Sequence, residues 1–463
     1  MKIAYLIHWN EGAESGVLKK VMHQLAEWQR QGHQPALFLF TCKPDGDWRA
    51  LCAERDIPLT VQAYKGTPGR MADFGLLAKQ VRRWRPDVLY HRFDLYYLSL
   101  PALLRAFPSV LEINTNDMAE LRMEQGFRYY YHSITRGKVL AAAAGHVYVS
   151  RELAESGHFR SFAKPSVVIG NGIRLEEYPL GAALPAGSGA APAGQEEAGQ
   201  PGAAPPGPVK SQSRPPRLVF IGSAGQPWHG LDHIAELAVL KPDWRFDLIG
   251  VEAAELAALL ARAGRPDAAG AVTAAGNAAA AGRTAAAGPA STAAPAAGAA
   301  APAGPAAKGR QAAVSAARAR AAGHPAQGGE LPPNLFFHGK LTRSGYQTLL
   351  DQADAAIGTL ALYRKDMKEA SPLKVREYLA NGLPVIIGYE ETDFPEEVPF
   401  LLRLPAERNN ICPHLQEITR FVEAWQGRRI AAGEAARLDT GRKEAERLRF
   451  MAEIAARKIR ERG

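Results

Sequence analysis

Cysteine is scarce in this chain. The three present, Cys42, Cys52 and Cys412 in 463 residues, make neither an even disulfide set nor a zinc-ligand spacing, so a reducing compartment is expected. Long apolar runs are missing too: nothing approaches the roughly 20 continuous apolar residues of a membrane helix. The apolar run in the opening "MKIAYLIHWNEG" is too short for a signal peptide and reads as a first strand. The expectation is a cytoplasmic protein, at most associated with the inner face of a membrane. Two stretches, 181–215 and 263–330, have almost no large apolar side chains and are Ala/Gly/Pro runs. They cannot bury enough surface to offset chain entropy and read as disordered. The expected organisation is an N-terminal domain over 1–178 and a linker over 179–216. A C-terminal domain follows over 217–262 and 331–441, interrupted by an insertion over 263–330, and a basic helix ends the chain over 442–463.

An excess of one charge is also missing from the part that can fold. Net charge is +9, but residues 428–463 hold 11 basic against 6 acidic groups and residues 263–330 hold 6 against 2. The remainder is near neutral, so the charge does not indicate a nucleic-acid groove, and no nucleic acid is expected as a partner. The basic C-terminal segment reads either as a solvated amphipathic helix or as a contact to an anionic membrane surface.

What is present is a pair of carboxylates. "KEASPLKVREYLANGLPV" sets Glu369 and Glu377 eight positions apart across a Ser-Pro step. Ser371 reads as an N-cap and Pro372 as the first helical residue, because proline has no amide hydrogen to lose and a helical φ. Leu373, Val375, Tyr378 and Leu379 give an apolar stripe, and Asn381-Gly382 ends the helix. Glu369 then lies just outside the helix and Glu377 about one and a half turns inside it. Free amides at Leu373 and Lys374 suit an anion in front of the helix. A sugar nucleotide uses every part: diphosphate on the amides, ribose on Glu377, sugar by Glu369. A helix with a solvated acidic face accounts for the same stretch.

Strand and helix signals alternate through both halves. Strands are expected at Ile3–Ile7, Pro35–Phe40, Asp87–His91, Ser109–Ile113, Val147–Ser150 and Val167–Ile169, with helices over Gly16–Gln31 and Met71–Trp84. The pattern resumes at "RLVFIG", "RFDLIG", "NLFFHG", "AAIGTL" and "LPVIIG". Such alternation predicts two doubly wound parallel α/β domains, with ligands in the cleft beyond the strand ends.

With these residues in place, "EASPLKVREYLANGLPVI" resembles the E-x7-E motif of the family-4 retaining glycosyltransferases, which have the GT-B fold of two Rossmann-like domains. "ESGVLKKVMHQLAEWQRQGH", "VYVSRELA", "VIGNGI", "FIGSAGQPWHGLD" and "FHGKL…LLDQADAAIGTL" resemble other family segments in the same order. The resemblance implies a nucleoside diphosphate sugar as co-substrate, no cofactor, and a sugar or lipid-linked acceptor. It puts Glu377 on the donor ribose and Glu369, as a catalytic group, by the sugar and leaving group. Where the family carries two cations on the diphosphate, this chain has Ser223 and His229. Lys374, with Leu373 beside it, is the substitute expected, and Arg364, Lys365 and Lys368 are reserves. Where many members have a histidine near the reacting sugar, this chain has Asn114, which can hold a hydroxyl but cannot carry a proton. Glu112 and His91 are alternatives there, His91 being equally readable as a structural residue. Gly16 opens the first helix on the acceptor side. Trp228 reads either as lining the donor pocket or as packing.

The D-x-D spacing of Asp45-Gly46-Asp47 is that of metal-dependent glycosyltransferases of another fold, but its Pro-Asp-Gly context predicts a turn, so no metal is expected. Two rival functions share the fold features. A nucleotide-sugar 2-epimerase would turn over donor alone, and a non-catalytic nucleotide-sugar binder would transfer nothing.

Overall fold

The computed structural model describes residues 1–12, 15–123, 126–179, 214–263 and 331–461. The segments read above as disordered lie almost wholly outside the described residues. The first domain is a seven-stranded sheet of β1 (Lys2–His8), β2 (Gln34–Thr41), β3 (Leu59–Ala63), β4 (Val88–Arg92), β5 (Ser109–Ile113), β6 (Gly145–Tyr148) and β7 (Ser166–Val168). Its order is β3-β2-β1-β4-β5-β6-β7, and all pairs are parallel. The second has β8 (Arg217–Ile221), β9 (Arg245–Ile249), β10 (Leu335–Phe337), β11 (Ala355–Ile357), β13 (Val385–Ile387) and β15 (Leu401–Arg403) in the order β10-β9-β8-β11-β13-β15, also parallel. Two short strands, β12 (Glu369–Ala370) and β14 (Glu390–Glu391), pair with each other outside that sheet.

Helices cover both faces of such sheets, so their strands read as unbroken apolar runs; the runs Ile3–Ile7 and Leu37–Phe40 are fully buried. In each sheet the strand order reverses once, between β1 and β4 and between β8 and β11. A crevice opens at the carboxyl ends of the strands at that point.

The first helix, Gly16–Arg30, buries Leu18, Val21, Met22, Leu25 and Trp28, a stripe at helical spacing. The last helix departs from the expectation of a solvated helix over 442–463. It spans Thr440–Arg460, starts on an Asp439 cap that accepts from the Gly441 amide at 2.8 Å, and returns to the first domain. Leu448, Met451 and Ile454 make one face of it core, and Trp28 Nε1 donates to Glu444 at 2.8 Å. Gly145 is what admits it, since a Cβ there would lie 2.8 Å from Ile454 Cδ1. Asp45-Gly46-Asp47 lies in a turn before the short helix Trp48–Ala53. A Cβ on Gly46 would collide with the buried Trp48 indole.

Candidate functional site

The glutamate helix spans Leu373–Ala380, one residue later than the sequence suggests. Pro372, extended at φ −72° and ψ 135°, is the N-cap, and no side chain caps the helix. Ser371 does not cap because its hydroxyl is used elsewhere: it accepts the amide of Asn171 at 2.6 Å, from the first domain. The helix ends as expected at Asn381, followed by Gly382 at φ +77°. Its depth is fixed by Arg376, buried against Glu391 (2.5 Å) and Asp393 (2.5 Å), and by Tyr378, whose hydroxyl accepts the Ile221 amide at 2.6 Å. The uncapped N-terminus faces the first domain: a Cβ on Gly16 would sit 3.5 Å from Leu373 Cδ1. The N-termini of two helices, one from each domain, therefore meet across the cleft.

Lys374 has an unusual environment. Its Nζ is buried without a hydrogen-bond partner and lies 4.3 Å from the centre of the Phe220 ring. Burial alone lowers its pKa from the ordinary lysine value to about 7. Beside it, His229 is buried and its Nδ1 has no partner. Burial first, then Lys374 and Lys365, hold His229 well below the usual imidazole range, while a hydrogen bond to the Ser223 backbone acts in the opposite sense. His229 is thus a neutral group, not a replacement cation.

The loop holding these residues is locked to the strand-order reversal. The amides of Leu360 and Ala361 donate to the carbonyls of His229 and Trp228, both at 3.2 Å. Gly230 is required there, having φ +74° and leaving only 2.9 Å between a Cβ and Leu360 Cβ. Ser223 is exposed, and Trp228 is half-buried with Lys365 Nζ 4.0 Å from its ring centre.

Two of the reserve cations are engaged and the third is exposed. Arg364 pairs with Asp232 at 2.6 Å, and Lys365 pairs with Glu120 of the first domain at 2.9 Å; Lys368 is exposed. Glu377 accepts the Tyr346 hydroxyl at 2.6 Å, and Glu369 Oε2 accepts the Glu152 amide at 2.7 Å.

On the first domain, Lys20 Nζ donates to Glu112 at 2.7 Å and to Asn114 Oδ1 at 3.2 Å, while Asn114 Nδ2 is buried without a partner. Glu112 does not serve as an alternative to Asn114. It is fully buried among Lys20, Arg92 and Arg447, and these cations hold its carboxyl well below the usual range although burial pushes the other way. His91 is 1% exposed on β4; its Nδ1 donates to the Leu6 carbonyl at 3.0 Å, and its Nε2 is buried without a partner.

Sequence reasoning missed a polar cluster at the other reversal point. His8, at the end of β1, holds Asp94, just past β4, at 2.5 Å. Its Nε2 lies 2.8 Å from the Tyr64 hydroxyl, and Arg70 donates to Tyr97 at 2.7 Å while stacking over Tyr64. The signal available was position: His8 ends the first strand of a parallel sheet.

The architecture is the GT-B fold. HepE of Anabaena, solved with UDP and glucose, superposes with a TM-score of 0.53 at 14% identity, covering 98% of this chain and 100% of that one. The lipopolysaccharide outer core galactosyltransferase WaaB superposes at 0.55 with 11% identity over 98% and 99%. Sucrose-phosphate synthase of Thermosynechococcus elongatus superposes at 0.52 with 14% identity over 99% and 97%. Residues 15–177, most of the first domain, match the profile of Glycosyltransferase Family 4. No curated protein sequence matches the chain.

Proposed function

We propose that the protein is a retaining glycosyltransferase that moves a sugar from a nucleoside diphosphate sugar to an acceptor hydroxyl, in glycan, polysaccharide or glycolipid synthesis. The observation that carries this reading is Lys374: an amine whose Nζ is buried without a hydrogen-bond partner, one residue inside an uncapped helix N-terminus. Burial favours its neutral form and a bound anion would favour the ammonium, and a diphosphate is the ligand that this amine and the free amides fit together. In this reading the amides of Leu373 and Lys374 hold the diphosphate with Lys374, and Glu377 takes the ribose. Trp228, Ser223 and His229 line the donor side. Glu369 meets the transferred sugar and leaving group, while Asn114 and the Gly16 helix face the acceptor. Most of the acceleration comes from stabilising charge on the departing diphosphate. Retention is part of this reading, and the match of residues 15–177 to the Glycosyltransferase Family 4 profile supports it. Metal independence belongs to the same reading, since Asp45 and Asp47 lie in the turn packed on Trp48.

The acceptor is a sugar or a lipid-linked sugar. Peripheral contact with an anionic membrane surface belongs to the same reading; the exposed Arg460 in the last turn of the C-terminal helix is a side chain that would make it. A second reading, a nucleotide-sugar binder without transfer, is favoured by Asn114 and the neutral His229 together. One experiment separates them. A nucleoside diphosphate at about 100 times its Kd adds about 2.7 kcal/mol of stability in either case. Release of the nucleoside diphosphate only when acceptor is present supports transfer, and binding with no release under any acceptor supports the binder.

A further inference from the structure

The contact between Glu369 and Glu152 runs in both directions. Glu369 Oε2 accepts the Glu152 amide at 2.7 Å, while Glu152 Oε2 accepts the amides of Glu369 at 2.7 Å and Lys368 at 2.8 Å. Glu152 is the second residue of the helix Arg151–Glu155. Its N-cap, Ser150, accepts the Leu153 amide, so the Glu152 amide is available to an outside acceptor. On the other side, the Lys368 and Glu369 amides belong to the segment leading into β12. Two glutamates that would repel if their carboxylates met are instead each seated on amides of the other's backbone, an arrangement in which charge strengthens the hydrogen bonds.

Every donor and acceptor in this exchange has its partner in the other domain. The neighbouring contacts are also between domains: Asn171 with Ser371, the Asn116 amide with Met367 Sδ at 3.4 Å, and Glu120 with Lys365 at 2.9 Å. The segment 365–371 is therefore held by three segments of the first domain, those that follow β5, β6 and β7. Separation of the domains would free the Glu369 carboxylate to turn.

We propose that Glu152 is a positioning residue: it fixes the backbone at Lys368 and Glu369, its own amide orients the Glu369 carboxylate, and so the glutamate beside the reacting sugar is aligned only when the domains are closed. The consequence for catalysis rests on the transferase reading above; the latch itself does not. Substrate binding on the second domain, through Glu377 and Lys374, should be largely independent of it.

The test uses the full chain carrying Glu152→Ala or the milder Glu152→Gln, with amide hydrogen exchange of peptides spanning 366–371 and steady-state transfer kinetics. In Glu152→Ala, exchange at Lys368 and Glu369 should quicken about tenfold or more, and kcat should fall about 10- to 100-fold with donor KM within about threefold. Glu152→Gln keeps one acceptor oxygen and should lie between wild type and Glu152→Ala in both. Unchanged exchange at 368–369 in both variants overturns the latch. Faster exchange with unchanged kcat, or a change confined to donor KM, overturns the positioning role. If wild type transfers no sugar, the transferase reading and the catalytic role fall together, and the exchange data still decide whether Glu152 holds this segment.

Discussion

Two lysines with buried amine groups, one in each domain, differ in what surrounds them. Lys20 is lowered to about 8 by burial, and Glu112, at 2.7 Å, acts against that shift. Lys374 is lowered to about 7 by burial with nothing acting against it. Lys20 belongs to a network of Glu112, Arg92, Arg447 and Tyr5 that ties the first and last helices to β5. Its ammonium is met by a carboxylate within the fold. Lys374 has only the face of Phe220. The difference teaches how to read a buried charge: a compensated one belongs to the fold, an uncompensated one to a ligand.

Removing Lys20 should therefore have the largest effect, on stability. Lys20→Met leaves Glu112 short of its nearest partner and should cost about 3 kcal/mol in denaturant unfolding. A loss below about 0.5 kcal/mol would break the comparison from the structural side. Lys374→Met should do the reverse. Stability should hold or rise, and donor affinity should fall by about 2 kcal/mol, or roughly 30-fold, because a charge-assisted contact to the diphosphate is gone. Loss of stability without loss of affinity would make Lys374 a second structural lysine.

The glutamates sharpen the comparison at smaller magnitude. Glu377→Ala should weaken donor binding about tenfold, and Glu369→Ala should lower kcat more than KM, if, as proposed, one takes the ribose and the other meets developing charge. Equal and negligible effects on both parameters would remove the pair from the site. The smallest expected effect is that of EDTA, which should leave transfer unchanged; loss of activity restored by manganese would return Asp45 and Asp47 to consideration.

Much of this was legible in the chain, for identifiable reasons. Parallel strands covered on both faces need unbroken apolar runs, and Ser109–Ile113 was located to the residue. β3, half-buried throughout, and the three-residue β15 carry no such run and went unseen. The glutamate helix was misplaced by one residue because Ser371 spends its hydroxyl on Asn171, 200 positions away. Lys374 could be singled out as a candidate cation because the resemblance implies two cations that Ser223 and His229 do not supply, and Lys374 lies on the glutamate helix. That Arg364 is consumed by Asp232, or that Glu369 rests on Glu152, depends on how the chain folds back and closes, which no local pattern encodes.

The central claim, that Lys374 waits for a diphosphate, has a direct proton signature. Its pKa in the unliganded protein is about 7. Burial favours the neutral amine there, and a bound diphosphate favours the ammonium, so donor binding must take up a proton in the window above that value. Affinity should accordingly decline as pH rises past it, by up to about tenfold per unit. The measurement is titration calorimetry at pH 8, with the best-binding nucleoside diphosphate sugar, in buffers of different ionisation enthalpy. Uptake of more than about half a proton per donor bound, absent in Lys374→Met, is the predicted result. Binding without proton uptake, or uptake that survives the substitution, would contradict it.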